Sequence, residues 1–191
     1  MYRMFYDREK HGDILFILIE PERQATEIKK AGNVESMYDG EDLIGININN
    51  LSKILKIRAH GMIITPGEEL VNVVNHIISR AGLKKLPYCV DSGYRVATIT
   101  SIDEYVTLKV GEKTLTALKE YSNLKVGDDV VIALDGTIQY NRKTFKSYEE
   151  NGKTINCHIC IAEELRIESD VEGAFIVEGY KSGDDFYLAG E

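Results

Sequence analysis

A chain of 191 residues with 43% hydrophobic and 28% charged side chains is long enough to bury a core, and too evenly composed to be fibrous or disordered. The formal net charge of −8 is unevenly spread: residues 1–93 hold 12 Lys+Arg against 13 Asp+Glu, and residues 94–191 hold 11 against 18, so the halves carry −1 and −7. An acidic second half opposes tight, indiscriminate attachment to nucleic acid, which draws on cations that neutralise phosphate.

The first seven residues lack the apolar segment of a secretory leader, and the longest apolar run, residues 14–19, falls far short of the roughly 20 residues of a membrane-spanning helix. The expectation is a cytoplasmic protein with no membrane contact. Residues 13–20 and 43–48 read as buried strands, and Tyr38-Asp39-Gly40-Glu41 between them supplies an Asp-Gly turn. The best-marked element is a helix. Thr65 offers an N-cap hydroxyl, Pro66 a first helical residue and Glu68 the partner of a capping box. Leu70, Val73, Val74, Ile77, Ile78 and Ala81 then repeat at helical spacing, and Gly82 supplies the stop. The proline-containing, aperiodic stretch that follows places a domain junction between about residues 83 and 93.

Beyond that junction the chain reads as strand after strand: 94–102, 105–110, 114–118, 130–134, 155–161 and 174–178, with Asn151-Gly152 a turn and 162–165 the only helical suggestion. The fold class is therefore α+β. A small α+β N-terminal domain, residues 1–88, precedes an all-β domain, residues 89–191, for which a closed oligonucleotide/oligosaccharide-binding (OB-fold) barrel is the leading topology and a β-sandwich the competing one.

Motifs for chemistry are sparse. No Gly-x-Ser-x-Gly elbow, phosphate loop or dinucleotide fingerprint is present, so no enzyme is expected and neither a cofactor nor a small-molecule substrate is implied. Cys157-His158-Ile159-Cys160 has the spacing of a redox or half-zinc motif, but it lies in a strand-like run, where residues three apart point to opposite faces. The reading is structural cysteines, with Cys89 making an odd third thiol, and a metal or redox role is the weaker alternative. His158 is the only histidine of the second half and has no partner that spacing can name.

Residues 140–148 interleave Tyr140, Phe145 and Tyr148 with Arg142, Lys143 and Lys146, the mixture that stacks bases while neutralising phosphates. The competing reading is a solvated hairpin whose aromatics pack inward. Arg95 and Lys109 are further cations on barrel strands.

Two sets of residues carry a family likeness. Phe5-Tyr6, Gly12-Asp13-Ile14-Leu15, Gly45-Ile46-Asn47-Ile48 and Glu69-Leu70-Val71 resemble the N-terminal domain of YtpR-type tRNA-binding proteins. Val110-Gly111-Glu112, residues 126–131, residues 160–165 and Gly183-Asp184 are similar to their C-terminal tRNA-binding barrel, a module also found in the beta subunit of bacterial phenylalanyl-tRNA synthetase. The likeness implies tRNA or another structured RNA as partner. The departures fall where RNA contacts would sit. The His-Pro-x-Ala-Asp-Lys-Leu loop of the family shrinks to Ile102-Asp103-Glu104-Tyr105, and only Asn123 survives of a Cys-Gly-Ala-x-Asn segment. Of a Ser-x-Gly-Met-x-Cys-Ser stretch, only Cys160 matches. The candidate RNA-binding set is therefore Arg95, Lys109, Asn123, Tyr140, Arg142, Lys143 and Lys146. The alternative is a barrel that has lost RNA affinity and serves protein contact or homodimerisation.

Overall fold

The computed structural model describes residues 1–189 and divides the chain into two compact units, Met1–Val90 and Asp91–Glu191.

The first unit is a six-stranded antiparallel sheet with one long helix. Its strands are β1 (Arg3–Asp7), β2 (Ile14–Leu18), β3 (Glu27–Ala31), β4 (Val34–Asp39), β5 (Asp42–Asn49) and β6 (His60–Ile63), in spatial order β3-β4-β5-β2-β1-β6. A one-turn helix α1 (Arg8–His11) links β1 to β2, capped by the Asp7 side chain, which accepts from the Lys10 N–H at 3.2 Å. Period-two burial builds the core: Met4 and Tyr6 of β1, Leu15 and Ile17 of β2, and Ile46 and Ile48 of β5 face α2 (Glu68–Arg80) through Val71, Val74, Ile77 and Ile78. Each such side chain contributes on the order of 1.5–3 kcal/mol by leaving water. At the outer edge, β3 is exposed along its whole length and bears Glu27, Lys29 and Lys30, charges that discourage edge-to-edge pairing.

Helix α2 begins later than its sequence signature suggests. Gly67, in an extended conformation (ψ 154°), is the N-cap, no side chain caps the helix, and the Thr65–Glu68 capping box does not form. The C-terminal signal behaves as read. Gly82 adopts φ +81°, its N–H bonds the Ser79 carbonyl at 3.1 Å and the Leu83 N–H reaches back to Ile78 at 3.0 Å, a Schellman ending that only a residue tolerant of the left-handed region closes easily. Among the described residues no helix is long and apolar enough to cross a membrane.

The regular elements of the second unit are strands and one 3-10 turn. It comprises β7 (Tyr94–Ile102), β8 (Tyr105–Val110), β9 (Lys113–Leu118), β10 (Asp129–Leu134), the hairpin β11 (Tyr148–Glu150) and β12 (Lys153–Ile155), β13 (Cys157–Ile159) and β14 (Ile176–Val177). The main antiparallel sheet runs β13-β10-β7-β8-β9, with β14 also on β10. Ala97, Ile99, Val106, Leu108, Val130, Ile132, Cys157 and Ile159 form its core.

Two expectations need correction. The run 155–161 is not one strand: it breaks at Asn156, and residues 163–165 form a single 3-10 turn. Nor does the sheet close as a continuous ladder. Between the two edge strands the Asn156 N–H donates to the Thr116 carbonyl at 3.1 Å, while the Asn156 Oδ1 accepts from the Thr116 N–H at 2.8 Å. The side chain of Asn156 thus takes a place that a second backbone carbonyl would hold in a regular pairing, and the ladder stops there.

Candidate nucleic-acid interface

The segment between β10 and β11 folds into a tight hairpin. Gly136 N–H bonds Phe145 C=O at 2.8 Å, Phe145 N–H bonds Thr137 C=O at 3.0 Å and Gln139 N–H bonds Lys143 C=O at 2.9 Å. Arg142 turns the chain at φ +66°, and the Asn141 side chain accepts from the Lys143 N–H at 2.8 Å. Thr137, Ile138 and Gln139 are buried, so one limb is anchored while the tip, Asn141-Arg142-Lys143, is exposed.

The aromatic residues of this segment have different fates. Phe145 stacks on the His158 ring at 6.3 Å with planes 29° apart. Tyr140 lies under the Arg166 guanidinium, 5.8 Å from ring centre. Tyr148 remains exposed at the start of β11. The inward-packing reading therefore holds for Phe145, and Tyr148 alone presents an open face.

Beside the hairpin, Gln139, Tyr140, Asn141, Glu163, Glu164 and Arg166 line a cleft of about 260 Å³. Its floor is tied to His158, whose Nε2 lies 3.0 Å from both oxygens of Glu164 while Nδ1 faces Glu120 at 3.7 Å. Glu164 also accepts from the Ile161 N–H at 3.0 Å. Burial alone would depress the His158 pKa, but the hydrogen bond and charge of Glu164, reinforced by Glu120, raise it above its ordinary value. Burial opposes ionisation of Glu164 too, yet the bonds from His158 and Ile161 hold its carboxyl below the usual range. Sequence alone gave His158 no partner. Glu164 lies six residues on, within the 3-10 turn, and Glu120 arrives from the loop just after β9, a proximity that no local spacing announces.

The remaining candidates separate by how exposed they are. Arg95 is committed to the fold, with Nη2 at 2.9 Å from Asp91 and Nη1 at 2.8 Å from Asp185, its side chain only 19% exposed. Asn123 is likewise engaged: its Nδ2 donates to the Ala174 carbonyl at 2.9 Å and its Oδ1 accepts from the Ala174 N–H at 3.0 Å. Lys109, Arg142, Lys143 and Lys146 are exposed. Hairpin geometry brings Tyr140, Arg142 and Lys143 together, whereas Lys109 sits on β8, opposite Thr98 of β7 and Thr114 of β9.

All three cysteines are free thiols: Cys89 exposed, Cys157 and Cys160 buried. Burial pushes Cys157 up to about 12 and raises Cys160 well above the ordinary thiol range, which suppresses the reactive thiolate. Among the described residues no group of three or more His, Cys, Asp or Glu is placed to hold a metal ion.

Comparison with known families places one match on the first unit. Residues 21–86, about a third of the chain, match the family described as "Domain of unknown function (DUF4479)". The matched stretch runs from before β3 to the segment after α2. No curated protein matches the chain.

Proposed function

We propose that this protein binds RNA, with tRNA as the foremost partner, and that it acts by binding rather than by catalysis. The strand order of the second unit carries the reading. A β7-β8-β9 meander, β10 on β7, β13 on β10 and the reciprocal Asn156–Thr116 bonds between the edges are the arrangement expected of a partly open OB-fold barrel, a fold whose exposed sheet and loops take oligonucleotides. The resemblance of both halves to YtpR-type proteins supports the same partner. In this reading Arg142, Lys143 and Lys146 of the hairpin and Lys109 on β8 contact phosphate, and Tyr148 offers a stacking face.

The test is a fluorescence titration of bulk tRNA against the wild type and the Lys143→Glu, Lys146→Glu double variant. Loss of two phosphate contacts flattens the dependence of log K on log salt by about two units. Equal slopes would remove the hairpin from the interface.

A second reading has its own observation. Residues 91–191 hold 11 Lys+Arg against 19 Asp+Glu, a net −8, and the unit exposes Val126, Val171 and Ile176. Such a surface suits self-association better than phosphate. A dimer insensitive to salt in sedimentation, without tRNA binding, would favour it; a monomer across micromolar concentrations would dismiss it.

A further inference from the structure

The net charge of the chain resides in the second unit, for residues 1–90 hold 12 Lys+Arg against 12 Asp+Glu. Within this balanced unit the charges separate. The hairpin strands and the loops beside them keep their cations paired: Arg23 with Asp39 and Asp42, Lys29 with Glu27, and Lys30 with Glu35. Residues 51–86 carry six cations, Lys53, Lys56, Arg58, Arg80, Lys84 and Lys85, against only Glu68 and Glu69. All six are exposed, and among the described residues none is held in an ion pair.

Part of this excess converges on the C-terminal half of α2. Asn72, Asn75, His76, Ser79, Arg80 and Lys85 line a cleft of about 440 Å³. His76 and Arg80 stand one helical turn apart on the same face and also border a second cleft, of about 570 Å³, with Val34, Ile54 and Ile77 in its wall. The first cleft is built by the fold. After the Gly82 reversal the chain runs back along α2, where Leu83 and Leu86 pack on the core. The buried Asn75 amide donates to the Leu86 carbonyl at 2.8 Å and accepts from the Leu86 N–H at 2.7 Å. Lys85 is thereby fixed between two anchored leucines.

Every side chain of the lining can donate a hydrogen bond, and none is a carboxylate. The favourable position of a cation in the last turn of a helix accounts for Arg80, but not for Lys85, which lies beyond the helix, nor for the rest of the donor set. Asn75 spends its amide on Leu86, leaving Asn72, His76, Ser79, Arg80 and Lys85 to face a ligand. Acceptor oxygens bearing negative charge fit such a wall, and the apolar wall of the adjoining cleft suits a ribose or base.

We propose that this cleft is a phosphate-binding site of the first unit, which takes the sugar-phosphate backbone of the same RNA. The inference rests on the RNA reading above, and it moves the main phosphate contacts from the acidic second unit to α2.

Anisotropy titrations of labelled bulk tRNA with the full chain, at about 50 to about 200 mM salt, test it through Arg80→Gln with Lys85→Gln, beside Lys143→Gln with Lys146→Gln. The α2 pair flattens the salt slope by about two units, roughly a 16-fold change across that fourfold range of salt, and weakens binding more than the hairpin pair. The charge-conserving Arg80→Lys with Lys85→Arg restores most of the affinity, and circular dichroism confirms that each variant is folded. Wild-type binding untouched by the α2 pair would overturn the inference and leave the RNA reading standing. No wild-type binding at about 50 mM salt would overturn both. Displacement of tRNA by poly-glutamate at matched charge would overturn RNA as the ligand of this cleft.

Discussion

Asn123 is where structure and family likeness assign different work, and replacing it with Ala separates them. Its amide grips Ala174 from both sides, at 2.9 and 3.0 Å, and Ala174 is fully buried. Removing the amide strands a backbone N–H and a backbone C=O away from water. An unsatisfied buried group costs about 1–3 kcal/mol, so Asn123→Ala, which strands two, destabilises the second unit by about 2–6 kcal/mol. Asn123→Asp keeps the acceptor for the Ala174 N–H and loses only the donor, and falls between Ala and wild type. Because the chain has no tryptophan, amide hydrogen exchange is the suitable assay: exchange of Ala174 and of the β10 ladder accelerates together while the first unit serves as reference. A change below about 0.5 kcal/mol, accompanied by weakened tRNA binding, would refute the clamp and return Asn123 to the interface.

Other consequences follow from particular contacts. Gly173 stands at φ +102° and the Asn123 Oδ1 fills the space a Cβ would need, so Gly173→Ala should lower the thermal midpoint of the second unit as much as Asn123→Ala does; an unchanged melt would contradict this. The folded pKa of His158 is raised, so its contribution is complete below the unfolded value of 6.5 and fades as pH climbs through the folded one. That of Glu164 is lowered, so its contribution holds above 4.5 and fades toward acid. The stability gap between wild type and His158→Gln is therefore widest between these limits and narrows in alkali, and melts that show a pH-independent gap would exclude the pairing. Ellman titration near pH 8 should find Cys89 prompt and Cys157 and Cys160 silent until unfolding; prompt reaction of all three would refute their burial. Arg95→Gln removes the cation shared by Asp91 and Asp185, costs about 2 kcal/mol by urea unfolding and leaves the salt slope for tRNA unaltered. A flattened slope would restore Arg95 to the phosphate contacts.

The sequence was most legible where one force dominates. Strands β7 and β8 fall on the residues their Val, Ile, Thr and Tyr content marks, and Asp103-Glu104 turns the chain between them. Gly82 ends α2 because the chain must reverse there for Leu83 and Leu86 to reach the core. Other elements hid their pattern. In β1 the buried Arg3, bonded to the Ile64 carbonyl at 3.2 Å, interrupts the apolar alternation of Met4 and Tyr6, and β3 buries nothing at all. The capping box at Thr65 was a local preference that the extended Gly67 overrode. Site residues were harder still. Composition marks Arg95 and Asn123 as polar and available, but only their partners 90 and 51 residues away show that each is spent on the fold. The α2 cleft was invisible for the same reason, since Lys85 reaches it only through a buried asparagine clamp.

The most direct measurement is the equilibrium binding of bulk tRNA by the full chain across a salt series. The account predicts saturable binding at about 50 mM salt, with log K falling linearly against log salt by at least about two units per decade. A chain that stays folded, yet shows no saturable binding at the lowest salt, would contradict it.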